Sequence, residues 1–386
     1  MTLDHEPKVF LSQYQEVLSK ATKNIIPVHA TFELTYRCNL RCIHCYLQCE
    51  HPRKSNELTT SEYKAFLDSL VDMQTIFLSL TGGEILVRED FFQIAEHARK
   101  RHFALRLFTN GTLIDSNAAK RIADLRPVMV EISCYGADEQ TYEDVTKVKG
   151  SWKKLMTAIE ALQREEVPFL LKSVVIKQNV HRLEELVSFF LSHEVPFRID
   201  PMITPLNDGN MEALKDCYLD DDEIFEAMYF LHSRVAEFKN PEEEREVKLR
   251  LAHKTTPCGA GNFTFRLNPE GFVSPCLQIP YYAGNIREEK FSKMWKEAEV
   301  FKEFRRIRIA DFDECMKCKD LAFCRRCIGI NKIVSGDYFT IFREFCRFAD
   351  IKGKAVAKIN ELSSFKSVFK EYADKKSKQD DKEQLL

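Results

Sequence analysis

The chain has 386 residues, 44% of them hydrophobic and 30% charged, with a formal net charge of -2. Those proportions suit a globular fold of two or three domains with a full core, and the near-neutral balance excludes a global field that would draw the chain to nucleic acid or an acidic membrane. No basic stretch leading into an apolar run and no run of about 18 apolar residues occurs, so neither a secretory signal nor a membrane span is expected, and the cytoplasm is the expected compartment.

Residues 1–28 read as an amphipathic helix and a lead-in around Pro27. From 29 to 235 short apolar runs alternate with helical patterns. Strands are expected at 30–36, 75–82, 104–111, 128–136, 169–177 and 197–203, and helices at 61–73, 90–101, 117–125, 151–166 and 183–194. That alternation predicts an α/β fold with a parallel sheet, which right-handed crossovers would close into a full or partial (β/α)6 barrel of the TIM type. Residues 236–256, with Pro241 and mixed charges, read as a linker or a solvent-facing helix. A compact cysteine-rich unit is expected at 257–350, and 351–386 reads as a helix followed by a charged, disordered tail.

Cysteine is the unusual entry in the composition: 13, an odd number. Clustered cysteines in a chain with no secretion signal point to metal or catalysis rather than disulfides. Cys38, Cys42 and Cys45 follow the first expected strand in a C-x3-C-x2-C pattern, with Cys49 just beyond. Three thiolates on one tight loop can hold three irons of a cubane cluster and leave the fourth iron open. Zinc is the competing ligand, with His44 or Cys49 as a fourth donor, although structural zinc favours paired C-x2-C units.

The segment Tyr36-Arg-Cys38-Asn-Leu-Arg-Cys42-Ile-His-Cys45-Tyr46 resembles the signature loop of the radical S-adenosylmethionine (SAM) superfamily. The resemblance implies a 4Fe-4S cluster on Cys38, Cys42 and Cys45 whose open iron binds SAM, with His44 positioning the adenine; Cys49 falls outside the pattern. Further along, Gly82-Gly83-Glu84 ends the second expected strand. Alone it reads as a tight turn, but it is similar to the family motif that holds the SAM amino group. Asn110 ends the third strand as a candidate SAM contact or simply an Asn-Gly turn, Ser133 ends the fourth, where the family places polar contacts to the SAM ribose, and Lys172 with Ser173 on the fifth would face its carboxylate or ribose. Cys134 reads as a buried strand cysteine.

The C-terminal cysteines run Cys258, Cys276, Cys315, Cys318, Cys324, Cys327 and Cys346. Zinc on a knuckle or iron–sulfur clusters would both explain them. The order resembles the SPASM domain of radical SAM enzymes, with a two-residue gap between Cys324 and Cys327 where three is usual. By that resemblance one auxiliary cluster would use Cys258, Cys276 and Cys327, and a second Cys315, Cys318, Cys324 and Cys346. Thr264 stands where some relatives place a further cysteine, so the first cluster would have an open iron, a non-cysteine ligand or another nuclearity.

Enzymes of this plan mostly act on peptides or proteins, and the whole pattern is similar to maturases of ribosomally made peptides. The resemblance therefore implies a peptide or protein substrate, crosslinked, epimerised or cleaved, and a reductant such as flavodoxin or ferredoxin. With roughly 27 residues before the barrel, too few for a leader-binding domain, a separate leader-recognition protein is expected. Leu277 stands where sulfatase-maturing relatives carry an Asp base, which ranks that branch low. Two alternatives remain: an enzyme acting on tetrapyrrole side chains, and a non-enzymatic zinc protein. Tyr135, Arg198, Asp200 and Tyr281 are candidate general bases by their place near strand ends or the domain junction.

Overall fold

The computed structural model describes residues 8–47, 56–235 and 240–362. Cys49, positions 236–239 of the expected linker and the tail beyond residue 362 lie outside the described residues.

Six strands, β1 (His29–Glu33), β2 (Phe77–Thr81), β3 (Ala104–Thr109), β4 (Met129–Ser133), β5 (Phe169–Val174) and β6 (Phe197–Asp200), form the expected parallel sheet. Between and before them lie α1 (Lys8–Asn24), α2 (Thr60–Asp72), α3 (Phe91–Lys100), α4 (Ser116–Leu125), α5 (Glu139–Thr146), α6 (Ser151–Arg164) and α7 (Leu183–Ser192). Pairing runs β1 to β6 in order, and β6 does not return to β1, so the α/β barrel is partial. Each strand stops one to three residues before the end of its apolar run in the sequence. Those last residues leave the ladder and become the loops of the barrel mouth, where parallel α/β folds bind ligands.

The helices follow from their sequence. In α3 the buried positions are Phe91, Ile94, Ala95 and Ala98, a single apolar face. Thr59 and Glu62 form a reciprocal capping box that starts α2. Helix α5 was not expected, because EQTYEDVT is mostly polar. Asp138 starts it by accepting from the Thr141 N–H, and Lys147 in a left-handed conformation ends it.

The C-terminal part opens with α8 (Asp221–Val235) and α9 (Pro241–Leu251). Of the two readings of the charged segment, the helix is found, capped by Asn240 with Pro241 in its first turn. Then come β7 (Thr264–Leu267), β8 (Phe272–Ser274) and β9 (Gly284–Asn285), followed by the short helices α10 (Phe291–Glu297), α11 (Glu299–Arg306), α12 (Asp313–Met316) and α13 (Ile328–Ser335). Strand β7 pairs parallel with the free edge of β1, and β8 and β9 add antiparallel, so one nine-stranded sheet crosses from the barrel into the cysteine-rich part. The cores merge there too: Phe32, Leu34 and Leu80 belong to the same buried cluster as Phe265, Leu267 and Trp295. A smaller core of Phe304, Phe312, Leu321 and Ile328 packs around Cys315. Among the described residues no helix is long and apolar enough to cross a membrane.

Candidate active site and cysteine clusters

The cysteine loop leaves β1 and is held on three sides, on two by backbone and on the third by a side chain. Arg41 N–H donates to Thr146 O at 2.9 Å and Ile43 N–H to Val145 O at 3.1 Å, so the end of α5 forms its floor. From β2, Gly83 N–H donates to Thr35 O at 2.7 Å and Glu84 N–H to Arg37 O at 2.9 Å. This contact explains the glycine pair: a Cβ on Gly82 would lie 2.4 Å from Thr35 O, and one on Gly83 2.3 Å from Arg37 O. From β3, Asn110 Nδ2 donates to Asn39 Oδ1 at 2.9 Å and reaches Cys38 Sγ at 3.7 Å. Asn39 in turn donates to Thr112 Oγ1 at 2.8 Å.

These contacts frame a cavity of about 580 Å³ lined by Cys38, Cys42, His44, Cys45, Gly82, Gly83, Asn110, Ser133 and Tyr135, among others. The structure thus brings most of the sequence candidates to one wall. Burial pushes the Cys42 thiol far up, and the nearby Cys45 and Cys38 sulfurs push it further. A buried thiol crowded by two further sulfurs is a poor place for a thiolate alone, and a cationic iron cluster would reverse that balance. Among the described residues no three His, Cys, Asp or Glu side chains draw together as a single ion requires; the three sulfurs border a cavity instead. His44 packs edge-on against Tyr135, with ring centroids 4.6 Å apart. Burial lowers its pKa to about 4, so it is neutral at pH 7, and its Nδ1 is buried without a hydrogen-bond partner. A donor or acceptor orphaned beside three thiols fits a polar ligand bound at the loop.

Glu84 is placed differently from its two glycines. Its carboxylate is fully buried behind the cavity wall and accepts from Thr109 Oγ1 at 2.8 Å, Asn110 N–H at 2.7 Å and Leu86 N–H at 3.1 Å. It ties the exit of β3 to that of β2, and burial raises its pKa.

Lys172 lines a second cavity of about 700 Å³, which shares His44, Tyr46, Ser133 and Tyr135 with the first and continues along Ser173, Arg198, Asp200 and Arg325. Its Nζ lies 2.9 Å from the fully buried Glu131 and over the Phe108 ring. Asp200 faces Arg325 at 3.3 Å, so the second cavity runs from the barrel mouth to the loop that carries Cys324. Tyr281 stands apart, 38% exposed and outside both cavities.

The C-terminal cysteines fall into two electrostatic groups. Burial raises the Cys276 thiol, with Cys327 and Cys258 adding to the rise. Cys258 is exposed by area, yet burial of its sulfur side and then Cys327 lift its pKa to about 11. At Cys315 burial is again the largest cause, Arg326 opposes it, and Cys324, Cys346 and Cys318 add to it. The neighbours are therefore Cys258, Cys276 and Cys327 in one set, and Cys315, Cys318, Cys324 and Cys346 in the other.

One buried ion pair escaped the sequence reading. Arg266 of β7 donates through Nε to Glu33 of β1 at 2.6 Å and through Nη2 to the Tyr36 hydroxyl at 2.9 Å. The Tyr46 hydroxyl, next to Cys45, donates to Glu33 at 3.3 Å. Glu33 and Arg266 each interrupt an apolar strand, which was the available signal.

The family model of the radical SAM superfamily matches residues 32–190, and that of an iron–sulfur cluster-binding domain, SPASM, matches residues 258–328. The chain thus carries a radical SAM domain and, C-terminal to it, a SPASM domain. It is an enzyme whose cofactors are a 4Fe-4S cluster that binds SAM and auxiliary iron–sulfur clusters. Among curated proteins it is similar to the AdoMet-dependent heme synthase of Methanosarcina barkeri, with 28% identity over 80% of this chain and 93% of that one. It is also similar to the mycofactocin maturase MftC of Mycolicibacterium smegmatis, with 28% identity over 78% of this chain and 77% of that one. Among solved structures, Streptococcus suis SuiB bound to its precursor peptide SuiA shares the fold, with a TM-score of 0.65 and 15% identity over 89% of this chain and 82% of that one.

Proposed function

We propose that this enzyme modifies a peptide or protein by radical chemistry begun at the barrel mouth. The observation that carries the reading is the pair of joined cavities, about 580 and 700 Å³, running from Cys38, Cys42 and Cys45 towards the cysteine-rich domain. A substrate lying in the second would present one residue at the wall formed by Ser133 and Tyr135 and leave its chain running past Arg198 and Arg325. Similarity to a maturase, MftC, together with the fold shared with SuiB, whose structure holds its precursor peptide, supports a peptide substrate.

In this reading Cys38, Cys42 and Cys45 hold the SAM-binding cluster, and the two C-terminal sets hold auxiliary clusters. Bound there, the cluster and SAM supply a 5'-deoxyadenosyl radical by one-electron cleavage of a C–S bond. The chain's own part is positional. Gly82 and Gly83 offer backbone carbonyls to the SAM ammonium, Asn110 and Ser133 offer polar contacts to its ribose, and neutral His44 with Tyr135 walls the adenine. Lys172 pairs with Glu131 beside the substrate cavity and turns an ammonium toward the SAM carboxylate. A low-potential protein donor such as flavodoxin or ferredoxin supplies the electron, and a separate protein presents the leader of the substrate. Pull-down with the tagged chain tests for that protein.

Similarity to the heme synthase over 93% of its length favours one other reading, a tetrapyrrole substrate whose side chains are modified. The test is anaerobic reconstitution with SAM and dithionite, followed by mass spectrometry of candidate precursor peptides encoded beside the gene and of an iron coproporphyrin. A mass change in a peptide supports the proposal. A change in the tetrapyrrole alone overturns it, and absence of 5'-deoxyadenosine in every mixture sinks both.

A further inference from the structure

The two C-terminal cysteine sets sit in unequal electrostatic surroundings. The Arg326 guanidinium lies 4.4 Å above the Phe312 ring centroid. Its Nε and Nη1 atoms are buried and have no hydrogen-bond acceptor among the described residues. Leaving such donors unmet is costly, more so for a charged group, so an acceptor is expected beside them. The positive charge of Arg326 acts on Cys315 and Cys324, opposing the rise that burial causes in both thiols.

Other cations face the same set. Arg245 Nε donates to Cys318 O at 3.0 Å, Lys248 Nζ donates to Ala322 O at 2.8 Å, and Arg343 acts on Cys346. Two of these have acidic partners: Glu244 lies 3.3 Å from Lys248 and Glu314 3.0 Å from Arg343. Arg326 has none among the described ion pairs. Around the other set, no cation among the described residues shifts the Cys258 or Cys327 thiol, and the cation that acts on Cys276 is Arg266, already paired with Glu33.

We propose that Arg326 donates its orphaned N–H groups to the sulfurs of a cluster held by Cys315, Cys318, Cys324 and Cys346, and so holds that cluster at a higher reduction potential than the one at Cys258, Cys276 and Cys327. The inference rests on the reading that each set holds an iron–sulfur cluster. Each electron a cluster accepts makes it more negative, and N–H groups and positive charge aimed at its sulfurs favour that state. On reduction of the protein, the Arg326 cluster therefore fills first of the two.

The test is an anaerobic redox titration followed by electron paramagnetic resonance, in a Cys42→Ala background that leaves only the auxiliary clusters. Arg326→Gln should lower the midpoint of one cluster by the equivalent of a tenfold change in its oxidised-to-reduced ratio, about 59 mV for one electron, and leave the other in place. Arg326→Lys, which keeps the charge but loses the planar fork, should fall between. In wild-type protein labelled with 15N-arginine, the reduced high-potential cluster should show a weak nitrogen coupling that the other lacks. Unmoved midpoints with full iron content, or no such coupling, overturn the proposal. Loss of the cluster from both variants assigns Arg326 to assembly and overturns it as well. Zinc in place of iron in the wild-type chain would instead sink the reading on which it rests.

Discussion

The barrel mouth and the C-terminal domain gather cysteines by opposite means. At the mouth, Cys38, Cys42 and Cys45 come from one loop, and hydrogen bonds from α5, β2 and β3 fix that loop. In the C-terminal domain the two sets draw on positions from 258 to 346, and what surrounds them is a small core, with Arg and Lys gathered beside the set that includes Cys318. The first site is shaped by the barrel, whereas the second leans on whatever the cysteines bind. Small units with little core depend on such centres for stability.

The difference is sharpest when ligands are removed one site at a time. Cys42→Ala should abolish 5'-deoxyadenosine formation entirely, read by chromatography after reconstitution. Cys318→Ala should leave measurable cleavage of SAM that is uncoupled from product. Equal loss in both would mean that the sites do not divide the work. Next, removing iron with a chelator should raise hydrogen exchange across 312–346, around the small core, by orders of magnitude while amides of β1–β5 stay protected. Uniform exchange would show that the barrel also needs its cluster to stand.

The seam between the regions gives a smaller effect. Glu33 and Arg266 are both buried and pair across β1 and β7. Arg266→Met would leave the Glu33 carboxylate unpaired, at a cost of about 3–5 kcal/mol. Urea unfolding should show that loss, and Glu33→Gln with Arg266→Met should recover much of it. If the double variant is no better than the single one, the pair is not what joins the regions.

How far the sequence discloses this arrangement depends on how local each feature is. The cysteine loop is legible because its ligand candidates are adjacent and follow an apolar strand. The strands and five of the barrel helices are legible for the same reason, since each apolar pattern is contained within its own element. The division of the far cysteines came only through resemblance, because spacing alone does not say which sulfurs meet. Helix α5 was hidden by its polarity, as its value lies in the carbonyls of Val145 and Thr146 rather than in an apolar face. Glu84 read as a cavity residue because its glycines are; nothing in Gly-Gly-Glu says that the carboxylate turns inward to Thr109 and Asn110. In the same way α9, with no buried residues, reads only as a linker or a solvent-facing helix, yet its Arg245 and Lys248 reach the carbonyls of Cys318 and Ala322.

The smallest effect is one of pH, and it belongs to the barrel side of the seam. His29 of β1 stacks on Phe77 with centroids 4.5 Å apart and meets the Tyr14 hydroxyl at 2.7 Å. Burial, with Arg106 adding, lowers its pKa from 6.5 to about 4. In the unfolded chain the ring takes a proton near pH 6.5, and in the folded chain only near 4. Between those values the unfolded state binds more protons, so stability is complete above pH 6.5 and falls as the pH drops toward 4. His232, held to about 4 by burial and then Lys352, acts in the same direction, so His29→Phe should flatten the slope without removing it. The measurement is the urea midpoint of the barrel transition in iron-free protein at pH 7 and pH 5, where cluster loss cannot contribute. A slope unchanged by the substitution would mean that the His29 ring is charged in the folded barrel, and that the β1–β7 seam admits more water than its packing shows.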